Sequence, residues 1–295
     1  MSQPSVLKAW WLAARPKTLA AGLVPVLVGT AVAHESGGIQ ILPAVACGVG
    51  SILIQIGTNL ANDYFDAKKG ADTEDRLGPE RAVQQGWISP RAMAAGTLIT
   101  LTLAFLVGLY LIQIGGWPIA AIGVASLVCA IAYTGGPVPL AYVGLGDVFV
   151  FIFFGLAAVV GTTWVQTLSA PPAAWIAGSS IGLLATAILV VNNLRDRHTD
   201  AVANKRTLAV RWGPKAARRE HAGLIITAFA IVWVASALQW APAEWTYLSL
   251  FCLPLAVHEI RSVHSKDGAD LNAHLGGAAR LETCFGLALV VGSVL

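Results

Sequence analysis

Two short stretches of the chain gather carboxylates and carboxamides at intervals that suit a divalent cation. One reads Asn59-Leu60-Ala61-Asn62-Asp63-Tyr64-Phe65-Asp66 and continues through Lys68, Lys69 and Gly70 to Asp72. The other reads Asn192-Asn193-Leu194-Arg195-Asp196-Arg197-His198-Thr199-Asp200. On a helix, Asn59 with Asp63, Asn62 with Asp66, Asn192 with Asp196, and Asp196 with Asp200 each share one face, because residues four apart are neighbours. Carboxylates stacked this way repel one another unless a multivalent cation neutralises them. Mg²⁺ typically takes one or two carboxylates and completes its shell with phosphate oxygens, so the pattern points to a magnesium-bound diphosphate. A single such cluster would read equally well as a solvated charge run at a loop edge. Two clusters with the same Asn-to-Asp interval favour function. The expected metal ligands are Asn62, Asp63, Asp66, Asp72, Asn192, Asp196 and Asp200. Asp72 lies off the face of Asp66, and Gly70 is expected to break the helix so that Asp72 returns from the loop.

Cations interleave with these acids. Arg81, Arg195, Lys205 and Arg206 can pair with phosphate oxygens that the metal leaves free, as can Lys68 and Lys69. Positive-inside placement explains basic residues here as well, and Lys205 and Arg206 stand out because they follow the second cluster closely. Asp147, in Gly144-Leu145-Gly146-Asp147, is an isolated acid that would orient or deprotonate a phenolic acceptor, or merely complement a helix N-terminus. Tyr133 offers an aromatic face to developing positive charge, in preference to Tyr142, although a tyrosine near a helix end is also an ordinary interfacial anchor. Arg15 and Lys17 could meet an acceptor carboxylate or could snorkel as anchors.

The elements that must position these groups are membrane helices. Of 295 residues, 56% are hydrophobic and 12% charged, and the mean hydropathy is +0.68, more apolar surface than a soluble fold can hide. Nine apolar segments are expected to span a bilayer: 18–34, 41–62, 92–113, 117–134, 143–164, 173–194, 221–240, 245–261 and 279–295. All 19 Lys and Arg fall before the first, between the second and third, between the sixth and seventh, or around the eighth and ninth. The positive-inside rule then predicts a cytoplasmic N-terminus, an external C-terminus and both acidic clusters on the cytoplasmic side of an inner membrane. Cys47, Cys129, Cys252 and Cys284 lie in apolar stretches without metal spacing and are expected to be small core residues. The whole chain, 1–295, reads as a single integral membrane domain. Its partners are expected to include membrane lipid but no nucleic acid.

At these residues the chain resembles the UbiA-type superfamily of intramembrane prenyltransferases, and the resemblance covers essentially its full length. Within the superfamily it most resembles the 1,4-dihydroxy-2-naphthoate polyprenyltransferases of menaquinone synthesis. The segments that carry the likeness are Ala14-Arg15-Pro16-Lys17-Thr18-Leu19, Asn59 to Lys69, Arg76-Leu77-Gly78-Pro79, Tyr133-Thr134-Gly135-Gly136-Pro137 with Gly144 to Asp147, and Asn192 through Lys205-Arg206-Thr207-Leu208-Ala209. In many relatives the last Asp of the first motif lies nearer the helix than Asp72 does. The resemblance implies an all-α bundle of nine spans around a central cavity, with a polar cap over its cytoplasmic mouth. It also implies Mg²⁺ as cofactor, a polyprenyl diphosphate donor, a naphthoate acceptor, and loss of diphosphate and carbon dioxide to give demethylmenaquinol. Other aromatic acceptors, 4-hydroxybenzoate or homogentisate, would use the same diphosphate site. A secondary transporter is the alternative from another class, but its acids would sit at mid-helix, within broken spans.

Overall fold

The computed structural model describes residues 4–70 and 77–295, so Asp72 and Arg76 lie outside the described residues. Among the described residues all regular structure is helical. A short helix α1 (Val6–Ala14) precedes α2 (Pro16–Glu35), α3 (Ile41–Lys69), α4 (Pro90–Gly115) and α5 (Trp117–Ala132). A continuous run follows, in which α6 (Gly146–Val150) passes through a π-helical segment (Phe151–Ala157) into α7 (Ala158–Thr167). The chain closes with α8 (Pro172–Val202), α9 (Leu208–Ala237), α10 (Ala243–Leu250), α11 (Leu253–Ser265), a 3₁₀ turn (Gly268–Leu271) and α12 (Asn272–Gly292).

Among the described residues, seven helical stretches are long and apolar enough to cross a membrane: 16–35, 41–69, 90–115, 146–167, 172–202, 208–237 and 268–292. This departs from the expected nine. Segment 117–134 falls on α5, an apolar helix of only 16 residues. Segment 245–261 is divided between α10 and α11, because Pro254 opens a new helix there and restarts the hydrogen-bond ladder. A further break lies within α9, where Gly213 takes φ 80 and ψ 175 just before Pro214. Pro214 has no amide hydrogen and crowds the preceding turn, so the two halves of α9 meet at a kink.

Close helix packing depends on small residues, because lipid and side chains are equally apolar and association rests on van der Waals fit. A Cβ on Gly155 would lie 2.6 Å from the Cα of Gly182, so the π-helical segment and α8 touch backbone to backbone. Around this contact a core forms from Val28 and Val32 of α2, Ile181 of α8, Phe229 of α9, Trp245 of α10 and Phe285 of α12. The frame therefore gathers helices from both halves of the sequence, and the acidic ends of α3 and α8 project from it.

Candidate active site

Both acidic motifs lie on helices that continue past the apolar segment expected from hydropathy. α3 runs on to Lys69, and Gly70, left-handed at φ 66, ends it where the sequence predicts a break. Its last turns carry Asn62, Asp63 and Asp66. The Asp66 carboxylate is buried and accepts from Arg81 Nη2 at 2.8 Å and from the Tyr142 hydroxyl at 3.0 Å. Asp63 accepts from the backbone amides of Ala82, at 2.9 Å, and Val83, at 3.1 Å, and so anchors the loop that delivers Arg81. Asn62 accepts from the Thr134 hydroxyl at 2.8 Å. Asn59 instead braces the scaffold, donating to the Ala14 carbonyl and the Thr18 hydroxyl where α1 turns into α2. Arg15 makes that turn, at φ 53.

The second motif is held differently. Arg195 is 1% exposed, and so deep a cation needs close compensation. It forks onto its sequence neighbour Asp196, with Nε and Nη2 at 2.7 and 2.5 Å, and also donates to Asn192 at 2.8 Å and Asn272 at 2.9 Å. Asp200 lies one turn beyond Asp196 and receives Lys205 at 3.3 Å. Its other oxygen, Oδ2, is buried and has no hydrogen-bond partner among the described residues.

Tyr142 stands between the first motif and the segment that follows the second. Its ring lies beneath Lys69 Nζ, 4.3 Å from the centroid, and Lys205 Nζ stands 6.0 Å away. Its carbonyl accepts the Arg206 amide at 2.8 Å. Lys69 also donates to the Thr134 carbonyl at 2.5 Å. Tyr133 lies at the same focus: burial first, then the charges of Asp147, Asp200 and Asp66, push its phenol above the ordinary tyrosine range. Asp147 is buried, and neither of its carboxylate oxygens has a partner among the described residues.

Most of the expected groups are thus brought together, but not all. Lys17, Lys68 and Arg206 are exposed, and their side chains make no hydrogen bond or ion pair among the described residues. Sequence reasoning preferred Tyr133 for the cation and gave Tyr142 no role, whereas Tyr142 bonds Asp66 of the first motif and, through its carbonyl, Arg206 just beyond the second. Thr134 and Asn272 were also missed. The Tyr133–Asp147 segment was legible as a motif, but its order of contacts depends on the turn between α5 and α6.

Among the described residues no group of three or more His, Cys, Asp or Glu side chains is ready to hold a metal. Mg²⁺ needs few carboxylates when phosphate oxygens share its shell, and the donors here are all oxygens. The unpartnered Asp200 oxygen is a donor still free for such a cation.

A family model described as the UbiA prenyltransferase family matches residues 22–280. The chain belongs to the UbiA prenyltransferase family. It is 38% identical to a 1,4-dihydroxy-2-naphthoate octaprenyltransferase of Haemophilus influenzae, over 97% of each chain. It is 39% identical to the Escherichia coli protein of the same name, over 88% of this chain and 86% of that one. Among solved structures, a UbiA homolog from Archaeoglobus fulgidus bound to GPP and Mg²⁺ aligns with a TM-score of 0.70 and 14% identity, over 96% of this chain and 99% of that one. This UbiA-family chain is accordingly a prenyltransferase and, with its long apolar helices, an integral membrane protein.

Proposed function

We propose that this UbiA-family enzyme transfers a polyprenyl group from an allylic polyprenyl diphosphate to 1,4-dihydroxy-2-naphthoate, releasing diphosphate and carbon dioxide and giving demethylmenaquinol for menaquinone synthesis. The observation that carries the reading is the meeting of two acidic helix ends around Tyr142, flanked by Lys69, Lys205 and Arg81. Support for the acceptor comes from the names of relatives that match over most of their length.

In this proposal Asn62, Asp66, Asn192, Asp196 and Asp200 hold Mg²⁺. Bound magnesium supplies charge neutralisation for the departing diphosphate. Arg81, Lys205, Arg206 and Lys68 face the remaining phosphate oxygens, and Lys69 adds positive charge from above the Tyr142 ring. Asp63 is assigned to holding the Arg81 loop, whose Ala82 and Val83 amides its two oxygens accept. The Tyr133 ring faces the allylic carbon as positive charge develops there. Its phenol stays protonated, consistent with an aromatic rather than a basic role. Asp147 accepts a hydrogen bond from an acceptor hydroxyl and raises the electron density of the attacking ring. The lipid-facing helices exclude water from the cation, which would otherwise be captured as a prenyl alcohol. The chain acts as a single domain, 1–295, with its N-terminus in the cytoplasm and the motifs opening to that side, as the distribution of basic residues favours.

The test is product analysis by mass spectrometry. Purified enzyme in lipid receives Mg²⁺, a polyprenyl diphosphate, and equal amounts of 1,4-dihydroxy-2-naphthoate and 4-hydroxybenzoate. A decarboxylated prenyl-naphthoquinol is expected. Prenylated hydroxybenzoate would keep the diphosphate site and replace the acceptor.

A further inference from the structure

The turn that opens the last helix reaches both motifs at once. Asn272 accepts from Arg195 Nη1 at 2.9 Å through its side-chain oxygen, and its Nδ2 donates to the Leu77 carbonyl at 2.9 Å. Arg195 in turn fixes Asn192 and Asp196 of the second motif, while Leu77 begins the described part of the loop that leads to Arg81 and Asp66 of the first. One carboxamide therefore bridges two segments that are otherwise far apart in sequence. The neighbouring residues of the same turn repeat this double reach. The Asp267 carboxylate forks onto Arg197 of α8, and a Cβ on Gly268 would lie 3.8 Å from the Leu77 side chain.

We infer that Asn272 is a positioning residue that sets the first-motif loop and the Arg195 side chain in one register. With both ends held by a single short side chain, donors on α3 and α8 can meet the same diphosphate without first paying for the ordering of the loop. The inference rests on the proposed diphosphate site, but the bridge itself can be read without turnover. The carboxamide is suited to this task because it offers an acceptor to the guanidinium and a donor to the carbonyl together. Aspartate would keep the first contact and lose the second.

Asn272→Ala and Asn272→Asp separate the two contacts. In steady-state kinetics, Asn272→Ala is expected to raise KM for the polyprenyl diphosphate by about tenfold, the scale of a lost hydrogen bond to a charged group, and to leave KM for the aromatic acceptor unchanged. Asn272→Asp is expected to keep Arg195 in place but still raise KM for the diphosphate, because the loop is released. A purely structural role would lower the active fraction and leave both KM values alone, which would overturn the inference. A second arm places spin labels at Gly78→Cys and Ala273→Cys in a background lacking the four native cysteines and measures their separation in lipid. The distance distribution is expected to broaden in both variants, and an unchanged distribution would overturn the bridge. Broadening in a protein with no prenyl transfer at all would support the bridge and defeat the proposed reaction instead.

Discussion

The two acidic motifs resemble each other in sequence and are secured by different means. Asp196 is neutralised by Arg195, its immediate neighbour, so the second motif carries its own counter-charge on one helix. Asp66 depends on Arg81 and Tyr142, which arrive from two separate connections. The first motif thus organises the loops around it, with Asp63 fastening one of them, while the second draws its main counter-charge from within α8 and reaches outside it only at Asn272 and Lys205. Matching spacing on two helices does not imply matching dependence on the remainder of the fold.

Asp66→Asn and Asp196→Asn should both abolish magnesium-dependent product formation, a loss of at least about 10³-fold, on the scale of removing one main charge stabiliser. They should part company in stability. Asp196→Asn leaves Arg195 buried without its carboxylate, at a cost of roughly 3–5 kcal/mol, which a thermal melt in detergent would register. Asp200→Asn should lose turnover with little change in melting, because one of its oxygens already has no partner. Full activity in any of the three would remove that residue from the metal site.

Asp63→Ala sharpens the contrast from the other side. Freeing two backbone amides of the Arg81 loop should destabilise the protein by about 1–3 kcal/mol and weaken diphosphate binding, measured as KM. Tyr142→Phe tests the hub more gently. Losing one hydroxyl donor to Asp66 while the ring stays under Lys69 should reduce kcat/KM by roughly five- to tenfold, near 1 kcal/mol, and Tyr142→Ala should cost more. Equal activity in Phe and Ala variants would mean that the ring contributes nothing.

The smallest effect belongs to Asp267. Hydrogen bonding from Arg197 holds its carboxyl below the ordinary range against the opposing effect of burial, helped by the Gly268 amide and the positive charges of Arg197 and Arg218. A folded-state value below the unfolded one means that its stabilisation is present above the unfolded pKa and disappears as pH falls through the folded one. Because this carboxylate is half exposed, the effect is bounded at about 1 kcal/mol. Asp267→Asn should therefore lower stability slightly at neutral pH and flatten its decline under acid, seen in melts across pH.

How far the sequence carries the site follows from the same contrast. Contacts within one helix were legible: the shared faces of Asn192, Asp196 and Asp200 follow from a period of 3.6 residues, and Gly70 marks a helix end. Contacts made by loops were not. Nothing in the spacing says that the Tyr142 hydroxyl bonds Asp66, or that Asn272 reaches Leu77, because those encounters depend on turns whose course is set by tertiary packing. Hydropathy found the membrane segments as apolar stretches but did not show the division at Pro254, whereas the continuation of α3 and α8 through their acidic ends follows from the i, i+4 pairs and Gly70 rather than from hydropathy.

That continuity has a physical consequence. At about 1.5 Å per residue, the 29 residues of α3 and the 31 of α8 make rods of about 44 and 46 Å, longer than the roughly 30 Å of a bilayer's hydrocarbon. Under the proposed function, the acidic ends of these rods take the polar head of the prenyl donor at the edge of the hydrocarbon. An overhang of this size is also the part of each rod that lipid of different acyl length would cover or uncover, so turnover of the proposed reaction is expected to vary between bilayers of different thickness.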